Sequence, residues 1–574
     1  MNLTVEQNNI VDLSPEDFLI LLIQALAGTG KTTTLIEYII NHQNIQFKYL
    51  SFNNKIVQSF SEKSQKLRLN NVSPNTFHAF SKKYTSDFFK NQNLVNKLSF
   101  DIVSDFFPEE KSFEIYSIIK WFNIYTIQQL KMKDFIKKIK NISKKEKFEL
   151  KMHERKDYVL SILKKVEELY NGIINDKTTF YTHNSYMKYF IDNMEDFDFE
   201  DFEVLLVDEA QDLNPIMINL IIVLLKKKKK IICVGDDNQS IYAFINNINL
   251  LLYLKENNIS DITIKNLTNS FRFESGSEIE NLANIVLRHR NVEIKGVADY
   301  SNDKDIKDIL FLGRSNAQVF LSAYELASIG KFFLLLGGIS LELKEFFYDI
   351  NYIFNKEFSK VKSKLFKEFS SINELKEFAL AEKDQEILSA INLLKFLHKS
   401  DISLKKFFFT IEKFNKNKFF VNARPNPTYL STIHKAKGLE YDKVVILPKI
   451  SDSISVIGFD PVGALPNGTT ILNIRNETVI KEELNLLYVA ITRAKKSIEI
   501  LNEEFRYNLD FLDSDLDSFK IVKLSTYEFD KTNCTIDFPS LEFIEVSINN
   551  TISLIHVDEF KIFREILTQT KKGE

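Results

Sequence analysis

A chain of 574 residues is too long for one hydrophobic core, and at roughly 150 residues per domain about four domains are expected. Hydrophobic residues make up 44% and charged residues 27%, which excludes a disordered or fibrous chain. The formal net charge of −3 excludes a globally basic body, so any nucleic-acid binding must come from a local groove. The first residues hold no basic-then-apolar leader, and no apolar run approaches the about 18–20 residues of a membrane span. A soluble, unexported chain with no membrane partner is expected. Cys233 and Cys534 are too few for a disulfide framework or a zinc cluster, which points to a reducing, cytoplasmic compartment (the nucleus if the source is eukaryotic). Fifty Phe with abundant Lys, Asn and Ile read as coding bias, whereas the 15 glycines are few enough that each is expected where the backbone needs it.

In chain order, residues 17–23 form the first continuous apolar run, as expected of a strand buried on both faces of a parallel sheet. Runs at 48–52, 204–207 and 231–234 repeat the pattern. A second set lies at 309–312, 332–336, 444–447 and 497–501. Two α/β sheets follow. Between the runs, residues from about 84 to 197 and from about 341 to 422 have helical periodicity without Gly/Pro punctuation. Residues 131–165 carry thirteen Lys/Arg against five acids, either a solvated helical face or a hold on nucleic acid. Arg424-Pro425-Asn426-Pro427 is a stiff closing linker, and residues 503–574 form an unassigned extension.

The first run leads into Ala25-Leu26-Ala27-Gly28-Thr29-Gly30-Lys31-Thr32, a phosphate-binding loop with Ala in place of its first glycine. Small residues let successive backbone N–H groups turn around a polyphosphate at a helix N-terminus. Ala27, Gly28, Thr29, Gly30, Lys31, Thr32 and Thr33 are therefore the candidate nucleotide contacts. Lys31 would reach the β- and γ-phosphates, and the Thr32 hydroxyl would ligate Mg²⁺. The aliphatic run 204–207 ends in Asp208-Glu209-Ala210-Gln211-Asp212. Adjacent carboxylates at a strand end can divide the work, Asp208 holding Mg²⁺ and Glu209 deprotonating the attacking water.

These residues resemble superfamily 1 helicases of the UvrD/Rep type, closest to the F-box DNA helicase subgroup, with no F-box in view. The subgroup is indicated by Thr182-His183-Asn184-Ser185-Tyr186-Met187-Lys188. The resemblance implies two RecA-like parallel-sheet domains, residues 1–84 with 198–264 and residues 265–340 with 423–502. Helical insertions would occupy 85–197 and 341–422. It further implies that Gln7 reads adenine and that Gln239, in Gly235-Asp236-Asp237-Asn238-Gln239-Ser240-Ile241-Tyr242-Ala243-Phe244, senses the γ-phosphate. Phe271 and Arg272, in Leu267-Thr268-Asn269-Ser270-Phe271-Arg272-Phe273, would stack on adenine and reach the γ-phosphate. Glu440, after Thr432-Ile433-His434-Lys435-Ala436-Lys437-Gly438-Leu439, would bind ribose, and Arg493, closing the motif Glu482 to Ala494, would be the arginine finger. Arginine keeps its charge and spreads it over a planar fork, which suits the transition state of phosphoryl transfer. With both arginines on the second sheet, hydrolysis is expected to depend on closing a cleft.

A translocase holds single strands without reading sequence, by aromatic platforms and phosphate contacts. The candidates are Phe52 and Asn54, Thr76, Phe77 and His78, and Tyr242 and Phe244; Arg314, Asn316, Thr432 and His434 are further ones. Single-stranded or tailed duplex DNA is the expected partner, with ATP and Mg²⁺ as cofactors and a protein partner conceivable through 503–574. Two departures stand out: Ile245-Asn246-Asn247 follows Phe244 where UvrD-type chains have Arg-Gly-Ala, and Leu484 and Asn485 replace two arginines. Gln239-Ser240-Ile241-Tyr242 belongs with the 3′→5′ branch, and the second insertion is short beside that of UvrD itself. The expected function is an ATP-dependent 3′→5′ DNA helicase or translocase in repair, recombination or defence. A protein-stripping translocase and an ATP-switched DNA-binding subunit that recruits a nuclease stay open.

Overall fold

The computed structural model describes residues 3–128, 152–241, 261–447 and 484–501 except 97, 200, 291, 383 and 425, together with 250, 254, 519–524, 541–548 and 551–556. It divides into two units, residues 1–269 with 356–370 and residues 270–355 with 371–574.

The first unit is built on β1 (Ile20–Ala25), β2 (Phe47–Ser51) and β3 (Val72–Thr76). A short pair in the insertion follows, β4 (Asn93–Val95) with β5 (Phe180–Thr182), and then β6 (Val204–Asp208), β7 (Lys230–Gly235) and β8 (Ile262–Leu267). The six core strands are all parallel, in the order β3-β2-β6-β7-β1-β8. β6 and β7 lie in the middle, which is why their aliphatic residues are buried on both faces. β3 is an edge strand and accordingly tolerates Pro74. Lys48 of β2 reaches across to it, donating to Ser73 Oγ at 2.9 Å and Asn75 Oδ1 at 2.6 Å.

Helices Lys31–Asn41, Asn54–Lys66, Phe77–Thr85 and Pro215–Lys226 follow β1, β2, β3 and β6, the right-sized crossovers for parallel strands. One face of the sheet packs Leu21, Ile23, Tyr38, Tyr49 and Leu206 into a core. The other face packs Leu205 and Val207 with Phe80 of the helix after β3 and with Phe122, Tyr170 and Phe190 of the insertion, so sheet and insertion share one aromatic core. Residues 356–370 also belong to this unit: Lys364 pairs with Asp101 at 2.6 Å and Phe369 meets Phe113 edge-on.

In the second unit, β9 (Asn269–Glu274) pairs with β10 (Lys295–Ala298), and β11 (Ile309–Gly313), β12 (Leu334–Leu335), β13 (Thr428–Thr432), β14 (Tyr441–Ile446) and β15 (Ala494–Ile500) form a parallel sheet in the order β12-β13-β11-β14-β15. The strand expected over 332–336 shrinks to Leu334–Leu335 because Gly337 and Gly338, at φ 84° and 64°, turn the chain away. Between β12 and β13 lie helices Leu341–Phe354, Ile372–Glu382, Gln385–Lys399, Leu404–Phe414 and Lys418–Asn422. The extension left unassigned from sequence contains β16 (Phe519–Leu524), β17 (Leu541–Ile548) and β18 (Thr551–His556), an antiparallel meander. The chain thus carries the two expected RecA-like parallel sheets. Most of the basic run 131–165 lies outside the described residues. Among the described residues no helix is long and apolar enough to cross a membrane.

Candidate nucleotide and nucleic-acid site

The C-terminal edge of the first sheet collects most of the described candidate residues of that unit. Parallel register places Asp208 and Thr76 on either side of Ser51, and Gly235 beside Gln24. Reading across, β3 delivers Thr76–His78, β2 Phe52 and Asn54, β6 Asp208 and Glu209, β7 Asp236 to Gln239, and β1 the phosphate loop. Open parallel sheets bind ligands along this edge because the loops there are free to vary.

Within the loop, Gly28 and Gly30 have φ of 76° and 80°, a left-handed backbone that side-chain-bearing residues resist. Gly30 caps the helix Lys31–Asn41 with no side chain of its own, so the helix N-terminus stays open. Thr29 is buried and its hydroxyl donates to Leu26 O at 2.8 Å, bracing the loop from beneath. Ala27 is wholly buried; Thr32 and Thr33 are half-buried on the first helical turn. Gln7 is buried: its carboxamide oxygen accepts Thr4 N–H and its Nε2 donates to Thr34 Oγ1 at 3.1 Å, leaving one N–H for a base.

Asp208 is enclosed at the end of β6. Its Oδ2 accepts the Tyr49 hydroxyl at 2.8 Å and the Thr32 hydroxyl at 3.4 Å, and its Oδ1 accepts Glu209 N–H at 2.9 Å. Burial and the neighbouring Glu209 charge push the Asp208 carboxyl up to about 6. Glu209 itself sits at φ 56°, ψ 45°, a left-handed conformation that turns its side chain towards Lys31, 3.9 Å away. Among the described residues no cluster of three or more His, Cys, Asp and Glu is placed to hold a metal. The donors that are present, a carboxylate beside a hydroxyl, fit Mg²⁺, which takes few protein oxygens and fills its octahedron from phosphates and water.

Gln239 is buried, its Nε2 donating to Asp236 Oδ2 at 2.7 Å. Two residues of this site carry no signal that motif spacing could expose. Tyr49 reaches Asp208 only through the β2–β6 register, and Gln211 bridges Glu209 to the Asp236 backbone.

The strand candidates of this unit divide. Asn54 is exposed and Phe52 half-buried, both open to a partner. Phe77 is a correction: it is wholly buried in the insertion core, where helix Phe77–Thr85 points it together with Phe80, and it cannot touch a strand. Thr76 is buried and its hydroxyl oxygen caps Ala79 N–H at 3.0 Å, so only its hydroxyl hydrogen is left to give. The His78 ring lies 5.0 Å from that of His183, and Tyr186 donates to His78 O at 3.1 Å, joining the Thr182–Lys188 motif to Thr76–His78. Burial, then the His183 ring, pull His78 down to about 4, so its imidazole is neutral and offers no charge to a phosphate. Tyr242, Phe244 and Ile245 lie outside the described residues.

In the second unit Arg272, Glu440 and Arg493 come together. Arg272 Nε pairs with Glu440 Oε2 at 3.0 Å while its Nη1 donates to Thr492 O at 2.6 Å. Arg493, next in chain, is buried, with Nε donating to Val489 O at 3.0 Å and Nη1 to Leu439 O at 3.1 Å. The Phe271 ring stands 46% exposed, available to stack on a base. Glu482 lies outside the described residues, but Asn485 accepts Arg290 Nη2 at 2.7 Å.

At the edge of the second sheet, register sets Gly313 beside Thr432, so Arg314 and the short helix Ile433–Ala436 with His434 leave from adjacent strand ends. Thr432 is buried and caps Lys435 N–H; Arg314, Asn316 and His434 are half-buried. Lys435, which the motif reading passed over, is exposed and extends its Nζ to within 3.5 Å of Asn316 Oδ1. Glu386, from the insertion, accepts Asn316 Nδ2 at 3.3 Å, and burial raises its carboxyl above the usual range.

Residues 3–258 match the model of the UvrD/REP helicase N-terminal domain. F-box DNA helicase 1 of Gallus gallus is 26% identical over 540 residues, covering 87% of this chain and 49% of that protein. Over these residues the chain is similar to the UvrD-like helicases of superfamily 1. F-box DNA helicase protein 1 of Schizosaccharomyces pombe is 25% identical over 548 residues, 87% of this chain and 57% of that one. The ATP-dependent DNA helicase Rep of Buchnera aphidicola is 30% identical over 209 residues, 36% of this chain and 27% of that one. This UvrD-like chain therefore spans about half the length of the F-box helicases it matches.

Proposed function

We propose that the chain is an ATP-dependent 3′→5′ DNA helicase or single-strand translocase acting in DNA repair, recombination or defence. The observation that carries this reading is the Lys31–Glu209 approach of 3.9 Å, beside Asp208 and Thr32 and on one sheet edge with Phe52 and Asn54. Nucleotide chemistry and strand contact would share a single rim.

Mg-ATP, when bound, supplies the phosphoanhydride to be cleaved and the divalent charge that balances it. The backbone N–H groups from Gly28 to Thr33 would cradle the phosphates, with Lys31 reaching the β- and γ-phosphates. Asp208 and Thr32 would hold the metal, and Tyr49 would fix the Asp208 carboxylate from behind. Glu209 would accept a proton from the attacking water, while Gln239 senses the γ-phosphate. Arg272 and Arg493 would supply charge to the transferred phosphoryl group, with Glu440 on ribose, Gln7 on adenine and Phe271 stacked against it. Asn54, Phe52, Arg314, Asn316 and His434 would touch the strand without reading its sequence.

The test is ATP turnover with and without single-stranded DNA and RNA, followed by unwinding of 3′-tailed and 5′-tailed duplexes. DNA-stimulated turnover with unwinding from the 3′ tail is expected. Turnover indifferent to single strands would sink the reading, and unwinding only from the 5′ tail would overturn the polarity.

A further inference from the structure

Gln211 follows Glu209 by two residues on the short turn Ala210–Asp212, and its side chain is buried. Its Nε2 donates to Glu209 Oε2, and its Oε1 accepts the Asp236 N–H at 3.0 Å. Asp236 is buried in turn, accepting Asn238 N–H at 3.0 Å and Gln239 Nε2 at 2.7 Å. The Gln211 carbonyl also accepts the Ser240 hydroxyl at 3.2 Å. One carboxamide thus spans from the end of β6 to the turn that follows β7. Gly235 leaves the room for it: a Cβ there would lie 2.5 Å from Gln211 Oε1 and 3.0 Å from Gln211 N.

We propose that Gln211 is a positioning residue that makes the Glu209 carboxylate follow the Asp236–Gln239 turn, so that strand-stimulated turnover passes through its side-chain amide. The proposal rests on the nucleotide-site reading above. Lys31 now stands by Glu209, but a polyphosphate in the loop demands the same ammonium. The Gln211 amide stays on Glu209 when Lys31 is drawn away. A neutral amide also orients a carboxylate without cancelling its charge, which a base must keep. Any shift of the turn carrying Gln239 and Ser240 is then felt at Glu209 through two hydrogen bonds.

The test uses the full chain, with Gln211→Ala, Gln211→Glu and Gly235→Ala. Read for each are kcat and KM for ATP with and without single-stranded DNA, affinity for a fluorescent ATP analogue, and melting by circular dichroism. Gln211→Ala is expected to lose about tenfold or more in DNA-stimulated kcat, the cost of a slightly misplaced group, with ATP KM and analogue affinity within about twofold of the parent. Gly235→Ala should reproduce that split. Gln211→Glu, isosteric but unable to donate to Glu209, should not restore stimulation, and it carries the test if the alanine variant melts early. Wild-type stimulation in Gln211→Ala or Gln211→Glu overturns the proposal, as does a loss of analogue affinity that parallels kcat. Failure of the underlying reading looks different: Lys31→Ala would then leave analogue binding intact whatever Gln211 does.

Discussion

The Lys31 ammonium lies 3.9 Å from the Glu209 carboxylate, with side chains only 13% and 19% exposed. Opposite charges that close and that enclosed hold each other in place until something better charged arrives. A triphosphate would draw Lys31 to itself and repel Glu209. Glu209→Gln is therefore expected to bind a fluorescent ATP analogue at least as tightly as the parent, while turnover falls by about a hundredfold or more. Lys31→Ala should lose both. Filter-binding or anisotropy titrations beside a phosphate-release assay separate the two, and weaker binding in Glu209→Gln would refute the arrangement.

Glu209 is also strained, holding φ 56° and ψ 45° where a residue with a Cβ is disfavoured by about 1–2 kcal/mol. The strain sits at a residue proposed for chemistry, the usual place for it. Replacing Glu209 by Ala or by Gly removes the same carboxylate contacts, so their difference isolates the backbone. Glu209→Gly is expected to be more stable than Glu209→Ala by about 1 kcal/mol, the reverse of the usual order in regular structure. Thermal melts of the two variants decide it. Equal stability, or Ala ahead, would show that the backbone is not constrained here.

What the sequence revealed follows from burial. β6 and β7 are central and apolar on both faces, so their residues read directly as strands, with the acids of 208 and 209 at the end. β3 and β8 are edges: one carries Pro74, the other the polar pair Lys265 and Asn266, and neither resembles a core strand in isolation. Tyr49 and Gln211 stayed hidden because their roles arise from pairing register and from a hydrogen bond across loops, neither of which linear spacing encodes. Phe77 misled for the opposite reason. Its place in the motif suggests a groove, yet Phe77, Phe80 and Tyr84 make a helical stripe whose first two members go into the core.

His78 makes the stability of the first unit depend on pH. Its imidazole, buried against the His183 ring, titrates near 4, against about 6.5 in an unfolded chain. Lys82, on the same helix, adds positive charge near His183. The sign follows: as pH falls below about 6.5 the unfolded chain takes a proton that the folded one refuses, so stability drops until about pH 4 and then levels. The ceiling of that loss is about 3 kcal/mol. Trp121 packs against the core that contains Phe77, and it is the only tryptophan in the chain, so its fluorescence follows this unit. Urea melts at pH 7.5 and pH 4.5 should show the loss, and His78→Gln should show distinctly less of it. Identical pH dependence in both proteins would remove His78 from the account.

At the edge of the second sheet, Lys435 meets the oxygen and Glu386 the nitrogen of the Asn316 carboxamide, with opposite charge. If Arg314, Asn316 and His434 hold a strand, Lys435 adds a phosphate contact and Glu386 a nearby repulsion. Each phosphate contact on a single strand contributes about 0.7 to the slope of log affinity against log salt. Lys435→Ala is expected to flatten that slope by about this amount and to weaken binding of all sequences alike. Glu386→Gln keeps an acceptor for Asn316 while removing the charge, so it should tighten single-strand binding, most visibly at low salt where charges are poorly screened. Fluorescence anisotropy with a labelled homopolymer at several salt concentrations measures both. Effects of the same sign in the two variants, or a slope unmoved by Lys435→Ala, would show that the strand does not pass over this edge.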